Sequence, residues 1–539
     1  LDFTTLGTGT IKTLTLATAN GDTTQGSSAP ITVENLRVTH RAGQITLNAA
    51  NAIDVLAVRA ETGADDANAT LEFTNSKGFT VGDVLGTAGI DTTGYQSDVD
   101  SGSIILRATS GNLVIAEAVE ASGASGNTRR IGRDITLTAS AGSITVNDGV
   151  QILAVGGEAR TSNTAGTTGG DITLTAGGTL VLGVEAEIRS DGSSAGGSSA
   201  RADGGAAGAI SLTGQSVTLN EAILSSVGGD AALYNATSTS TPTDGGDGGV
   251  LTINATAGTV TMNAASIDLR GGESTQSGTG INLLRGDSGL GGTLILSDVF
   301  VVGPGETTIT TGDDTRRGNT IQFNSSVVGT GDLVLNAGIN HEVNNGLSGL
   351  VQGTRLLNGG DITLNSTLNT SGNLDVETVR DLEFVGAVGN STAPASLSVR
   401  SANDVTFDST VRSSGDLTFE TLDDLWFKNT VGASDARVRH IRIDSADNVT
   451  TNGIYANSFV QVDNGSTGTT TLNGIVSING ASPTDTLIGA SIANDAIVLG
   501  TGNSFSASGT GGVRLYTQAT DLTIEDATDF TLTGTGGLA

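Results

Sequence analysis

Apolar and polar residues alternate with a period of two along most of this chain. Between Asp134 and Ile188 the same passage occurs twice, as DITLTASAGSITVNDGVQILAVGG and then, after a polar stretch, as DITLTAGGTLVLGVEAEI. Ile135, Leu137 and Ala139 alternate with Thr136 and Thr138, so one face of an extended segment is apolar and the other carries threonine. Gly142 marks a turn, and Ile144 and Val146 open a second run around Thr145. Thr, Val and Ile favour a pleated, half-buried surface. No stretch sustains a period of 3.6, so the pattern predicts strands throughout and no long helix.

The copies align by their inward pairs. First-strand pairs are Ile135/Leu137, Ile172/Leu174, Ile210/Leu212, Leu251/Ile253 and Leu294/Leu296, which recur at offsets of 37, 38, 41 and 43 residues. Second-strand pairs are Ile144/Val146, Leu180/Leu182, Val217/Leu219 and Val260/Met262, offset by 9, 8, 7 and 9 residues from the first. One corner is therefore held constant while another part of the repeat varies. A unit that cannot bury its own apolar face must stack on its neighbours. The expected fold is all-β, a single-stranded parallel β-helix (β-solenoid) in which Leu137 lies under Leu174 and that under Leu212. A sandwich or propeller would show hairpin turns between the runs. Here the glycines recur at corners. Roughly 16 to 20 coils would make a rod on the order of 75–95 Å long.

Taken in order, residues 1–302 read as a solenoid with long inserted loops. These fall at 156–169, 189–208, 228–248 and 271–290, are rich in Gly, Ser, Ala, Thr and Asp, and are expected to project from one edge. They would form either a flexible fringe or a second packed layer. Residues 303–320, with Pro304 and mixed charges, suggest a soft boundary. Residues 321–539 read as a more compact continuation, with pairs Leu397/Val399, Leu417/Phe419 and Ile441/Ile443 and with Leu382/Phe384, Val405/Phe407 and Leu425/Phe427. Three phenylalanines in one column predict an aromatic stack in the core. The chain starts inside a patterned run and stops at Gly-Gly-Leu-Ala, as though both ends were cut from something longer.

Composition narrows the chemistry. The 79 glycines are about twice the usual share, and charged residues make up only 15%. The formal net charge of −31 repels nucleic acid, and no basic stripe offsets it. Without cysteine there are no disulfides, thiol nucleophiles or cysteine-held metals. No run of 18 apolar residues suggests membrane insertion.

Few residues stand out as sites. His40, His341 and His440 are too far apart in sequence to suggest a triad or zinc site. Glu185 and Glu187 would share an outward face between inward Val184, Ala186 and Ile188. Such a carboxylate pair is what a glycosidase needs, though on an acidic rod it is more simply a solvated pair. Calcium is the one cofactor the sequence leaves open. Asp98, Asp100, Asp313 and Asp314 are weak candidates, as are the doublets Asp65-Asp66 and Asp423-Asp424, while Gly245–Gly249 is only a fragment of a calcium-binding repeat. Trp426, the only tryptophan, should point outward between Leu425 and Phe427, with Glu383, Thr406 and Thr450 as its neighbours in adjoining coils. It is a contact candidate for a sugar or a protein, against the simpler case of a loop-covered aromatic. Asn48, Asn254, Asn336 and Asn365 follow strand runs and would stack as amides; sequons such as Asn235-Ala-Thr237 are expected by chance.

The stretches GDITLTAGGTL (170–180) and GDITLNS (360–366) resemble the repeat region of bacterial filamentous-haemagglutinin-like large exoproteins. The resemblance covers most of the chain as a repeat texture. It implies a right-handed parallel β-helix on the surface of a Gram-negative bacterium, exported by two-partner secretion; that family's Asn-Pro-Asn secretion signature is not present in this chain. The expectation is a non-enzymatic extracellular rod, part of a surface fibre, filament or sheath. Its partners would be further copies, joined end to end or laterally, or other cell-surface components or glycans. Two alternatives stand beside it: a carbohydrate-active β-helix enzyme (polysaccharide lyase or hydrolase), and a phage tail-spike or fibre shaft.

Overall fold

A computed structural model describes residues 11–19, 21–40, 43–60, 70–93, 101–125, 130–158, 164–196, 202–232, 243–274, 276–277, 284–285, 288–313, 316–338, 341–343, 355–357, 359–462, 468–480, 489–500, 503–509, 512–517, 522–524 and 529–532. Among these residues the structure is all-β and dominated by long parallel sheets. The chain divides into two compact units. One comprises Leu1–Thr293 with Asn344–Thr354, the other Leu294–Val343 with Arg355–Ala539. Within 303–320, Glu306–Gly312 forms a strand paired in parallel with Asp332–Ala337.

In the first unit the repeats pair as their apolar spacing requires. Leu71–Asn75, Ile104–Ala108, Ile135–Ala139, Ile172–Ala176, Ile210–Gly214 and Leu251–Ala255 succeed one another in parallel register. Leu106, Leu137, Leu174, Leu212 and Ile253 thereby form one buried column. Leu113–Ile115, Ile144–Val146, Leu180–Leu182, Val217–Asn220 and Val260–Asn263 form a second stack, and Gln151–Leu153, Glu187–Arg189, Ile223–Ser225 and Ser266–Asp268 a third. Any one-residue slip would turn every inward Leu to solvent, so the alternation pins the register. Each fully buried Leu, Ile or Val contributes about 1.5–3 kcal/mol.

The corner between the second and third stacks is built on a left-handed residue in successive repeats: Gly149 (φ 66°), Glu185 (φ 56°), Glu221 (φ 46°) and Ala264 (φ 50°). This corrects the expected outward pair. Glu185 lies in the corner, Val184 beside it is 37% exposed rather than inward, and only Glu187 belongs to a strand.

The glycine-rich segments also differ from a fringe. Their described arms, leaving and returning to the sheets, form a hydrogen-bonded layer with a period of three. Gly205 donates its N–H to Ser193 (2.9 Å), Gly229 to Gly205 (2.8 Å), Gly246 to Gly229 (2.8 Å), Gly272 to Gly246 (2.7 Å) and Gly289 to Gly272 (3.0 Å). Three residues along, Gly208 donates to Ser190, Gly249 to Ser226 and Gly292 to Leu269. Between these, Gly192, Gly204, Gly228 and Gly248 donate to the like arm of the next repeat. A three-residue period is the symmetry of the polyproline II helix, which has no internal hydrogen bonds and must find partners elsewhere. A Cβ on Gly205, Gly229, Gly246 or Gly289 would meet a neighbouring carbonyl oxygen well inside 3.0 Å. Glycine is thus required at the crowded positions, as it is on the collagen axis. Gly245–Gly249 belongs to this layer, and the Asp247 carboxylate accepts the Leu290 N–H at 2.8 Å.

In the second unit Leu294–Leu296, Ile321–Phe323, Ile362–Leu364, Leu382–Phe384, Val405–Phe407, Asp424–Phe427, Asn448–Thr451, Thr469–Leu472, Ala496–Leu499 and Leu522–Ile524 form one parallel stack. Facing strands include Asn373–Glu377, Ser396–Ala402, Asp416–Thr421 and Val438–Ser445. The aromatic column lies within this unit. Phe407 stacks on Phe384 at 4.6 Å and 5° and on Phe427 at 5.0 Å and 11°, while Phe419 meets Phe407 and Phe427 edge-on.

Candidate functional site

Among the described residues, the feature that most resembles a site is built on the outer face above the phenylalanine stack. Strand Asp424–Phe427 buries Leu425 and Phe427 and leaves Asp424 and Trp426 exposed. The packed rings below hold the strand in place. Trp426 is 46% exposed and lies in register between Thr406 and Thr450, with Glu383 opposite Thr406, as the alternation predicts. The Lys428 ammonium sits 4.9 Å from the indole centroid and 2.7 Å from the Asp408 carboxylate. That cation–π contact orients the ring and covers part of it.

On the other side of Trp426, about 7 Å along the strand, runs a column of carboxylates and amides. Asp404 accepts the Asp424 N–H at 3.1 Å, Asp424 accepts from the Asn448 amide at 2.7 Å, and the Asn448 oxygen accepts the Thr469 N–H at 3.0 Å. The first unit uses the same device: Asp134 accepts the N–H of Asp171, and Asp171 that of Ala209. An Asx residue at the foot of one strand thus satisfies an N–H at the foot of the next, which is why Asp so often precedes the apolar run.

Asp423 adds a further carboxylate. Asp404, Asp423 and Asp424 offer oxygens that all lie within 4.8 Å of one another. Burial and the nearby charges of Asp381 and Asp424 raise the Asp404 pKa against the effect of its backbone hydrogen bond. Burial, followed by Asp424, Asp404 and Asp447, raises that of Asp423. Oxygen ligands of this kind suit a hard cation, and three carboxylates supply part of the six to eight oxygens calcium takes.

The sequence's other candidates are dispersed. Asp98, Asp100, Asp314, Asp65, Asp66 and Asn235 lie outside the described residues. Asp313 accepts the Arg316 N–H at 2.8 Å, with the Arg316 guanidinium at 3.8 Å. Glu187 accepts from the Gln151 amide at 2.5 Å and lies 3.6 Å from Arg189. His40 is buried against the Thr23 hydroxyl at 3.3 Å, and His440 pairs in register with Asp416 and Ser458. His341 lies in a short antiparallel pair. The amide ladder is mixed: Asn365 donates to Asn324 at 2.9 Å, but Asn48 donates to Glu72 and Asn336 to Glu377. Asp404 joins Asp423 and Asp424 only across a repeat of about twenty residues, a separation that sequence pattern alone does not bring together.

No family model, no curated protein and no solved structure matches this chain.

Proposed function

We propose that this chain is a non-enzymatic segment of an extracellular rod, belonging to a bacterial surface fibre, filament or sheath and serving structural and adhesive roles. In this reading the parallel stacks wind as a right-handed single-stranded β-helix. The observation that carries the proposal is the unbroken like-on-like register within each unit, from Leu71 to Leu251 in one and from Leu294 to Leu522 in the other. Such repetition builds length and surface. The acidic, cysteine-free composition and the resemblance to the large exoproteins support the same reading. Labelling intact source cells with an antibody to this chain is the test. Surface staining, removed by external protease, is expected; signal only after lysis would overturn the extracellular assignment.

A polysaccharide lyase or hydrolase is the second reading, favoured by the carboxylates beside the exposed Trp426. Incubation with a panel of neutral and acidic polysaccharides, followed through reducing ends and unsaturated products, separates the two. No turnover is expected for the rod, whereas turnover that Asp404→Asn or Asp423→Asn abolishes would establish the enzyme.

A further inference from the structure

We infer that the outer face around Trp426 binds a neutral glycan, with the indole as stacking platform. This deepens the adhesive part of the proposed function. The face is a grid. Asp424 and Trp426 project from one strand about 7 Å apart, Lys428 follows just beyond its end, and the neighbouring strands lie about 4.8 Å away on either side. Thr406 and Thr450 flank the indole, and both are smaller than it, so the ring stands above its neighbours. A pyranose presents axial C–H groups on one face and hydroxyls around its rim. The indole face away from the Lys428 ammonium takes the first. The rim hydroxyls meet Asp424 and the Asn448 amide on one side and Asp408 and Lys428 on the other, groups that combine acceptors and donors.

Charge selects the class of glycan. The carboxylate oxygens of Asp404, Asp423 and Asp424, all within 4.8 Å of one another, crowd one edge of the platform. A uronate, sulfate or sialic acid would add like charge to that edge, and Lys428, already bound to Asp408, offers little to offset it. Parallel strands at about 4.8 Å spacing present repeated rows of outward side chains across which an extended, equatorially linked chain can lie. The occupant that fits is therefore a neutral β-linked hexose chain.

Because Trp426 is the only tryptophan, its fluorescence reports this face alone. Titration of the full chain with cellohexaose and chitohexaose is expected to blue-shift or quench the emission saturably. In calorimetry, Trp426→Ala should weaken binding at least tenfold and Trp426→Phe by less, with far-UV circular dichroism unchanged in both. Asp424→Asn separates a polar role from folding: it keeps an acceptor for Asn448 and should alter affinity without altering the spectrum.

No response to either hexasaccharide up to millimolar concentration would overturn the proposal. So would binding confined to heparin or polygalacturonate fragments. A shift that depends on protein concentration without sugar would overturn it by assigning the face to a second copy of the chain. These results leave the rod untouched, because labelling of intact cells reads that separately.

Discussion

Substituting Gly246→Ala is the sharpest test of the glycine layer. The Gly246 N–H donates to the Gly229 carbonyl at 2.8 Å, and its own carbonyl accepts the Gly272 N–H at 2.7 Å. A Cβ at this position would lie well inside 3.0 Å of the Gly205 carbonyl. That neighbour is backbone, itself bonded to Gly229, and cannot rotate away. Relief requires the two arms to part, which strains the packing by about 1–3 kcal/mol. It also weakens two buried backbone hydrogen bonds, each worth about 1–3 kcal/mol when left unmade. Against this, alanine stabilises by about 0.4–1 kcal/mol through the unfolded chain. The net loss expected is at least about 2 kcal/mol and at most about 8 kcal/mol. Gly26→Ala is the matched control, because nothing lies within 4 Å of its Cβ and its φ is not positive. It should be neutral or slightly stabilising. Repeat arrays need not unfold in one step, so the readout is hydrogen exchange resolved by segment alongside a urea melt. Faster exchange in 226–232, 243–250 and 269–274 is expected for Gly246→Ala. Exchange and urea midpoint within the range of Gly26→Ala would refute the layer.

Other outcomes follow from the same geometry. Ala264→Gly should stabilise by about 0.5–1 kcal/mol in a urea melt, since a left-handed alanine costs about 1–2 kcal/mol and glycine's added chain entropy returns part of it. Phe407→Ala removes the ring shared by Phe384 and Phe427 and should cost about 3–5 kcal/mol, with exchange accelerating locally in 382–427. Asp404 and Asp423 have folded pKa values above the usual carboxylate value, so the folded state binds more protons than the unfolded chain as pH falls toward about 4. Their contribution therefore becomes more favourable on acidification through those raised values, and Asp404→Asn should flatten this rise relative to wild type in melts across that range. Asp416, lowered chiefly by its hydrogen bonds to Arg439, acts in the opposite direction, and Asp416→Asn should reduce the loss of stability in acid.

Period-two alternation was enough to read the strands, their parallel register and the inward columns, because in a stacked repeat the neighbour of a residue is its own counterpart one repeat away. The Phe384–Phe407–Phe427 stack and the outward position of Trp426 followed from the same rule. The corner at Glu185 was misread because its left-handed φ breaks the alternation, and Glu is not a residue that announces such a φ. The glycine arms were legible in principle. Asp244-Gly-Gly-Asp-Gly-Gly249 carries a period of three, and Gly289 and Gly292 repeat it, but that signal belongs to neither helix nor strand. The Asp404–Asp423–Asp424 group needed the fold, since only stacking brings residues about twenty apart side by side.

Electron microscopy of the purified chain and of native material is the direct test of the proposed rod. Slender particles on the order of 75–95 Å long, about 4.8 Å per repeat, single or joined into fibres, are expected. Compact particles about as wide as they are long would contradict it.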